Sequence, residues 1–105
     1  MQRRAIAFVD ANPDLDITVG DIARAAHVTS RAVQLAFRRH LNTTPTAYLR
    51  QVRLQHAHQQ LQAALPEDGL TVTRVALEWG FANPSRFARH YRAAYGRPPG
   101  DTLTH

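Results

Sequence analysis

Apolar positions recur every three or four residues along the whole chain, and no stretch alternates with the period of two that a strand would show. The spacing predicts an all-α domain. The first helix runs from about Gln2 to Ala11, with Ile6, Phe8 and Val9 as apolar contacts and Asn12-Pro13 as its stop. Thr18 is placed to cap a short helix from Val19 to Ala26, and Asp21 falls in its positively polarised first turn. Ser30 opens another helix reaching about His40. Pro45, suited to a helical first turn, begins the longest helix, which continues through Tyr48, Leu49, Val52, Leu54, Ala57 and Leu61 to about Leu65. Pro66-Glu67-Asp68-Gly69 is the clear break.

The segment after the break repeats the segment before the long helix. At an offset of 53, Ile17-Thr18-Val19 matches Leu70-Thr71-Val72, Ile22 meets Val75, Ala23 meets Ala76, His27 meets Gly80, and Val28 meets Phe81. The turn then gains one residue. At an offset of 54, Val33 meets Phe87, Phe37 meets Tyr91, Arg38 meets Arg92, Leu41 meets Tyr95, and Pro45 meets Pro99. One structural unit is used twice, giving three segments: residues 1–44, a linker helix over 45–65, and residues 66–105.

Each unit has the spacing of a helix-turn-helix. Ala23 and Ala76 fall where the paired helices cross most closely, and Gly80 falls at a helix end that commonly turns left-handed. His27 holds the same place in the first unit, and histidine tolerates positive φ better than most residues. The second helix of each unit has two unlike faces. Val33, Ala36 and Phe37 line one inner face, and Phe87, Tyr91 and Ala94 the other. Arg31, Gln34, Leu35 and Arg38 share the opposite stripe of the first helix, and Ser85, Ala88, Arg89 and Arg92 that of the second. Neither stripe contains an acid. A helix entering the major groove needs donors for base edges and nothing that repels phosphate.

Charge strengthens this reading. All 13 basic residues are arginine against 8 acids, a formal net charge of +5. From Ile22 to Pro66 there is no acid, only Arg24, Arg31, Arg38, Arg39, Arg50 and Arg53, and a second acid-free stretch from Trp79 to Gly100 holds Arg86, Arg89, Arg92 and Arg97. Genome composition could account for the missing lysine but not for the missing acids. Such segregation builds a positive surface whose guanidinium groups suit phosphates and guanine edges.

With Ala76, Gly80-Phe81, Ser85, Phe87, Arg89, Tyr91 and Gly96-Arg97-Pro98-Pro99 at its spacing, the sequence resembles the DNA-binding domain of the AraC/XylS family of bacterial transcription regulators. The resemblance covers almost the whole chain. It implies about seven helices, two helix-turn-helix units joined by a long linker helix, and two recognition helices entering successive major-groove segments of double-stranded DNA. Carried over by position, base contacts fall on Arg31, Gln34 and Leu35 and on Ser85, Ala88 and Arg89. Phosphate contacts are expected from Ser30, Arg38, Arg50, Arg53, Arg86 and Arg92. The family usually continues with an aromatic and a basic residue after its Gly-Arg-Pro-Pro stretch, whereas here Gly100-Asp101-Thr102-Leu103 stands in that place. By the resemblance, most members carry an amino-terminal effector or dimerisation domain in a longer chain while a minority consist of the DNA-binding domain alone; the longer chain is expected here, with RNA polymerase as a partner.

Other chemistry finds little footing. His56 and His58 lie two apart on a helix, diverge, and have no acid nearby to complete a ligand set, so no metal is expected and both are placed on the linker surface. Trp79, with Phe81 as its aromatic neighbour, is expected at the helix junction. No glycine-rich phosphate loop, paired carboxylates or thiol points to an enzyme, and no cofactor is expected. The absence of cysteine, of a signal peptide and of an apolar run of about 18 residues fits a soluble cytoplasmic protein. The rival reading is a small basic helical adaptor for an acidic protein. RNA binding is disfavoured because exposed aromatics for stacking on single strands are missing.

Overall fold

The structure, a computed structural model, describes residues 2–12 and 17–103. Pro13, half of the expected stop of the first helix, lies outside the described residues. Seven α-helices are found among those described: α1 (Gln2–Ala11), α2 (Val19–Ala26), α3 (Ser30–Leu41), α4 (Pro45–Ala63), α5 (Val72–Glu78), α6 (Pro84–Tyr95) and α7 (Pro99–Leu103). A 3-10 turn, Pro66–Asp68, comes after α4. Local chemistry sets the helix starts. Thr18 and Asp21 form a reciprocal capping box, in which Thr18 Oγ1 accepts from the Asp21 amide and the Asp21 carboxylate accepts from the Thr18 amide. Thr29, Thr44 and Thr71 cap α3, α4 and α5 in the same way, each hydroxyl accepting the amide three residues on. The long helix stops at Ala63, two residues before the expected Leu65. Leu65 is already extended, and its amide donates to the Asp68 carboxylate.

Packing divides the chain into residues 1–52 and residues 53–105, so the boundary falls inside α4. In the first unit Ala5 and Val9 of α1 meet Ile22, Ala23 and Ala26 of α2, Val33 and Phe37 of α3, and Leu49 and Val52 of α4. The second unit buries Leu54, Ala57 and Leu61 of α4 with Val75 and Ala76 of α5 and Phe87 and Tyr91 of α6. Each large apolar side chain removed from water contributes about 1.5–3 kcal/mol. The repeat is therefore longer than the helix-turn-helix pair. Ala5 and Val9 correspond to Ala57 and Leu61, while Pro45, where α4 opens, corresponds to Pro99, where α7 opens. Each unit is an entry helix, a helix-turn-helix and a closing helix, and α4 serves as closing helix of the first and entry helix of the second.

Candidate nucleic-acid interface

The two turns have matching geometry. His27 is left-handed (φ 60°, ψ 41°) and Gly80 takes φ 85°, and in each turn the next residue donates back into the first helix: Val28 N to Ala23 O at 3.0 Å, Phe81 N to Ala76 O at 2.8 Å. Ala23 and Ala76 are buried, so the crossing helices approach over a methyl group. These turns hold α3 and α6 with one face sealed and the other free.

On α3 the sealed face is Val33, Ala36 and Phe37, as the periodicity requires. Arg31, Leu35 and Arg38 are exposed, as is Gln34, and Ser30 is exposed at the first helical position beside the Thr29 cap. On α6 the sealed face is Phe87 and Tyr91, with Tyr95 half-buried against the same core. Ala94, expected inward, is exposed. The inner stripe steps by four through 87, 91 and 95, as it does through Val33, Phe37 and Leu41, and position 94 falls off that line. Ser85, Arg86, Arg89 and Arg92 are exposed and Ala88 is half-buried. Asn83 caps α6, its side-chain oxygen accepting from the Ser85 and Arg86 amides at 2.9 and 3.1 Å, which fixes Ser85 in the first turn.

Arg50 and Arg53 differ from the arginines of α3 and α6 in being half-buried. The Arg53 guanidinium lies over the turn of the second unit, where a Cβ at Gly80 would stand 3.0 Å from Arg53 Cζ and Nη1. Arg24 pairs with Asp21, and the Asp21 carboxyl is held below its ordinary range chiefly by the Thr18 backbone amide, with the Arg24 charge a smaller cause.

The histidines of α4 are not on an open surface as expected. His56 stacks on Trp79 with ring centroids 4.8 Å apart and planes 16° from parallel. His58 stacks on Tyr95 at 4.0 Å, and its Nδ1 lies 2.6 Å from the Tyr91 hydroxyl, which in turn lies 2.7 Å from Thr102 Oγ1. Burial, and secondarily the charge of Arg97, pushes the His58 imidazole below its ordinary value. Trp79 does sit at the helix junction, packed on the core of the second unit. Its partners, however, are His56 and Gln60, which accepts from Trp79 Nε1 at 2.7 Å, while Phe81 packs on Phe87 instead. Sequence reasoning also passed over Thr29 and Asn83. Their cap chemistry was available, but a Thr-Ser pair and an Asn-Pro pair each leave the first helical residue open by one position.

A groove of about 470 Å3 runs beside the outer stripe of α3, where Thr44 and Thr46 join Arg31 and Arg38 on its walls. Among the described residues no helix is long and apolar enough to cross a membrane, and no group of three or more His, Asp or Glu side chains could hold a metal ion.

A family model described as a helix-turn-helix domain matches residues 22–105. The chain is 35% identical over 102 residues to a probable thc operon regulatory protein of Rhodococcus erythropolis, a match that takes in 96% of this chain and 30% of that protein. The chain thus spans under a third of that relative's length. Among solved structures, a probable AraC family transcriptional regulator from Rhodopseudomonas palustris superposes with a TM-score of 0.90 at 38% identity, over 98% of this chain and 94% of that one. The DNA-binding domain of the global transcriptional factor AdpA, solved in complex with a target DNA, shares the fold with a TM-score of 0.84 at 21% identity, over 98% of this chain and 89% of that one. Matched over most of its length by the helix-turn-helix model and at high similarity by a solved member, the chain belongs to the AraC/XylS family of bacterial transcription regulators.

Proposed function

We propose that this chain binds double-stranded DNA sequence-specifically, with α3 and α6 entering successive major-groove segments, and thereby regulates transcription. The observation that carries the reading is the pair of equivalent outer stripes. Each lies on the second helix of a helix-turn-helix, is free of acid and bears arginine. An adaptor for an acidic protein would need the charge but not the matched turns or the repeated stripe. The AdpA domain, of the same fold, was solved on its target DNA.

In this reading Arg31, Gln34 and Leu35, and Ser85, Ala88 and Arg89, face base edges. Ser30, Arg38, Arg86 and Arg92 flank them and meet phosphates, joined by Arg50 and Arg53 from α4. Arg53 combines that role with its packing over Gly80. Residues 1–44 and 66–105 carry the two reading heads and 45–65 joins them, with Leu49 and Val52 packed in the first core and Leu54, Ala57 and Leu61 in the second. RNA polymerase is the partner through which promoter output changes, and the protein works in the cytoplasm. The segment shared with the Rhodococcus regulator is 30% of that protein, and in this reading an effector or dimerisation domain would lie in chain outside the shared segment.

Selecting bound sequences from a random duplex pool should return two short elements, and footprinting should protect two major-groove patches about 10 base pairs apart. Inserting about 5 base pairs between the elements places them on opposite faces of the duplex and should remove most of the specific affinity. Equal affinity for every duplex at physiological salt would sink the proposal, and undiminished binding after the insertion would leave only one unit reading DNA.

A further inference from the structure

Leu35 is 57% exposed, on a stripe whose other members, Arg31, Gln34 and Arg38, are all hydrogen-bond donors. A single exposed leucine is ordinary on a protein surface. What distinguishes this one is its surroundings. It stands in the groove of about 470 Å3 with Val19 and Pro45 as apolar walls and Arg31, Gln34 and Arg38 around it. Such a site fits a ligand that is apolar at one point and rich in acceptors about that point. On the major-groove edge of DNA the apolar point is the thymine 5-methyl group, set among O4, O6 and N7 acceptors.

The repeat within the chain supplies the contrast. At the offset of 54 that aligns the two recognition helices, Arg31, Gln34 and Leu35 correspond to Ser85, Ala88 and Arg89. Where the first unit presents a leucine, the second presents an arginine, whose planar donor fork matches guanine O6 and N7. We propose that Leu35 makes the first unit select thymine, its side chain packing on the 5-methyl group, at the position in its element where the second unit selects guanine through Arg89. The proposal rests on the DNA-binding reading above and adds a base identity to it. Leu35 is four residues from Arg31, about 6 Å along the helix. Since base pairs are spaced by about 3.4 Å, the selected thymine lies roughly two steps from the base that Arg31 reads.

The test uses the duplex selected from the random pool and changes single methyl groups on the DNA. Each thymine of the first unit's element is replaced in turn by deoxyuridine, which lacks only the 5-methyl group. At one position the wild-type chain should bind about fourfold more weakly, the effect of one apolar carbon buried. At the same position 5-methylcytosine should bind better than cytosine by a similar factor. Leu35→Ala should respond to neither change there while keeping the wild-type unfolding midpoint, because the side chain it shortens is exposed. Wild-type binding indifferent to deoxyuridine at every thymine would overturn the proposal, as would a Leu35→Ala variant as sensitive as wild type. Both of those outcomes leave specific DNA binding standing. A pool that yields no preferred sequence overturns this proposal together with the reading beneath it.

Discussion

His27 and Gly80 occupy the same place in two copies of one turn, and their side chains make the two copies unequal. A residue with a Cβ in the left-handed region costs about 1–2 kcal/mol, and the first unit bears that cost at His27 (φ 60°). Glycine removes it at the expense of a freer unfolded chain, so His27→Gly should raise stability by up to about 1 kcal/mol. Gly80→Ala meets two obstacles: φ of 85° and the Arg53 guanidinium 3.0 Å from the new Cβ. A loss of about 1–2 kcal/mol is expected from the backbone, while the guanidinium, the far end of a flexible side chain, has only to shift by a few tenths of an ångström. Urea unfolding of both variants checks the pair, and a Gly80→Ala midpoint equal to wild type would mean that the turn is not under this constraint. The alignment of the two units made the left-handed turn legible, because His27 and Gly80 share a register. Arg53 was not legible as the residue over Gly80, since nothing in the spacing of an arginine tells whether it reaches solvent or a backbone 27 positions away.

The starts of α2 and α4 were readable because a cap or a first-turn proline is a local device. Thr18 with Asp21, and Pro45 at the head of α4, announce themselves within three residues. The polar contacts that join helices have no such signature. His58 of α4, Tyr91 of α6 and Thr102 of α7 are 33 and 11 positions apart along the chain and form one hydrogen-bonded line. Buried Thr102 gives the Tyr91 hydroxyl a second partner, which explains how a chain with Asp101-Thr102 after Pro99 still closes its last helix. Tyr95 stacks on the same imidazole, and Arg97 is the charge that acts on it. Because the folded protein holds the His58 pKa below the ordinary 6.5, its neutral form favours folding. The associated stability is present above the unfolded value and lost as pH falls through the lowered one. The urea midpoint should therefore drop between pH 7.5 and pH 5 by more in wild type than in His58→Phe, which keeps a ring against Tyr95 but cannot titrate. An equal drop in both would assign the acid sensitivity to other groups.

For the molecule as a whole, the charge pattern sets how binding responds to salt. Acids stand before Ile22, at Glu67, Asp68 and Glu78, and at Asp101, leaving both recognition helices without one. Lysine is absent, so every arginine contact to phosphate expected in this reading would be made by a group that stays charged at any working pH. Neutralising about six phosphates releases their counterions and gives log K a slope near −5 against log salt, so affinity should fall about a thousandfold between 50 and 200 mM. Screening of a basic patch against an acidic protein also weakens binding with salt, so the slope alone does not separate DNA reading from an adaptor. The separation comes from how substitutions divide. Arg38→Ala, Arg86→Ala and Arg92→Ala should each lower the slope by about one and weaken every duplex alike, because phosphates recur without regard to sequence. Arg89→Ala should relax preference at one base position at a cost of about 1–3 kcal/mol on the selected site. Fluorescence anisotropy on the selected and a scrambled duplex across that salt range measures both quantities. If all four variants moved slope and preference together, the outer stripes would be a diffuse cationic surface and not two readers with flanking clamps.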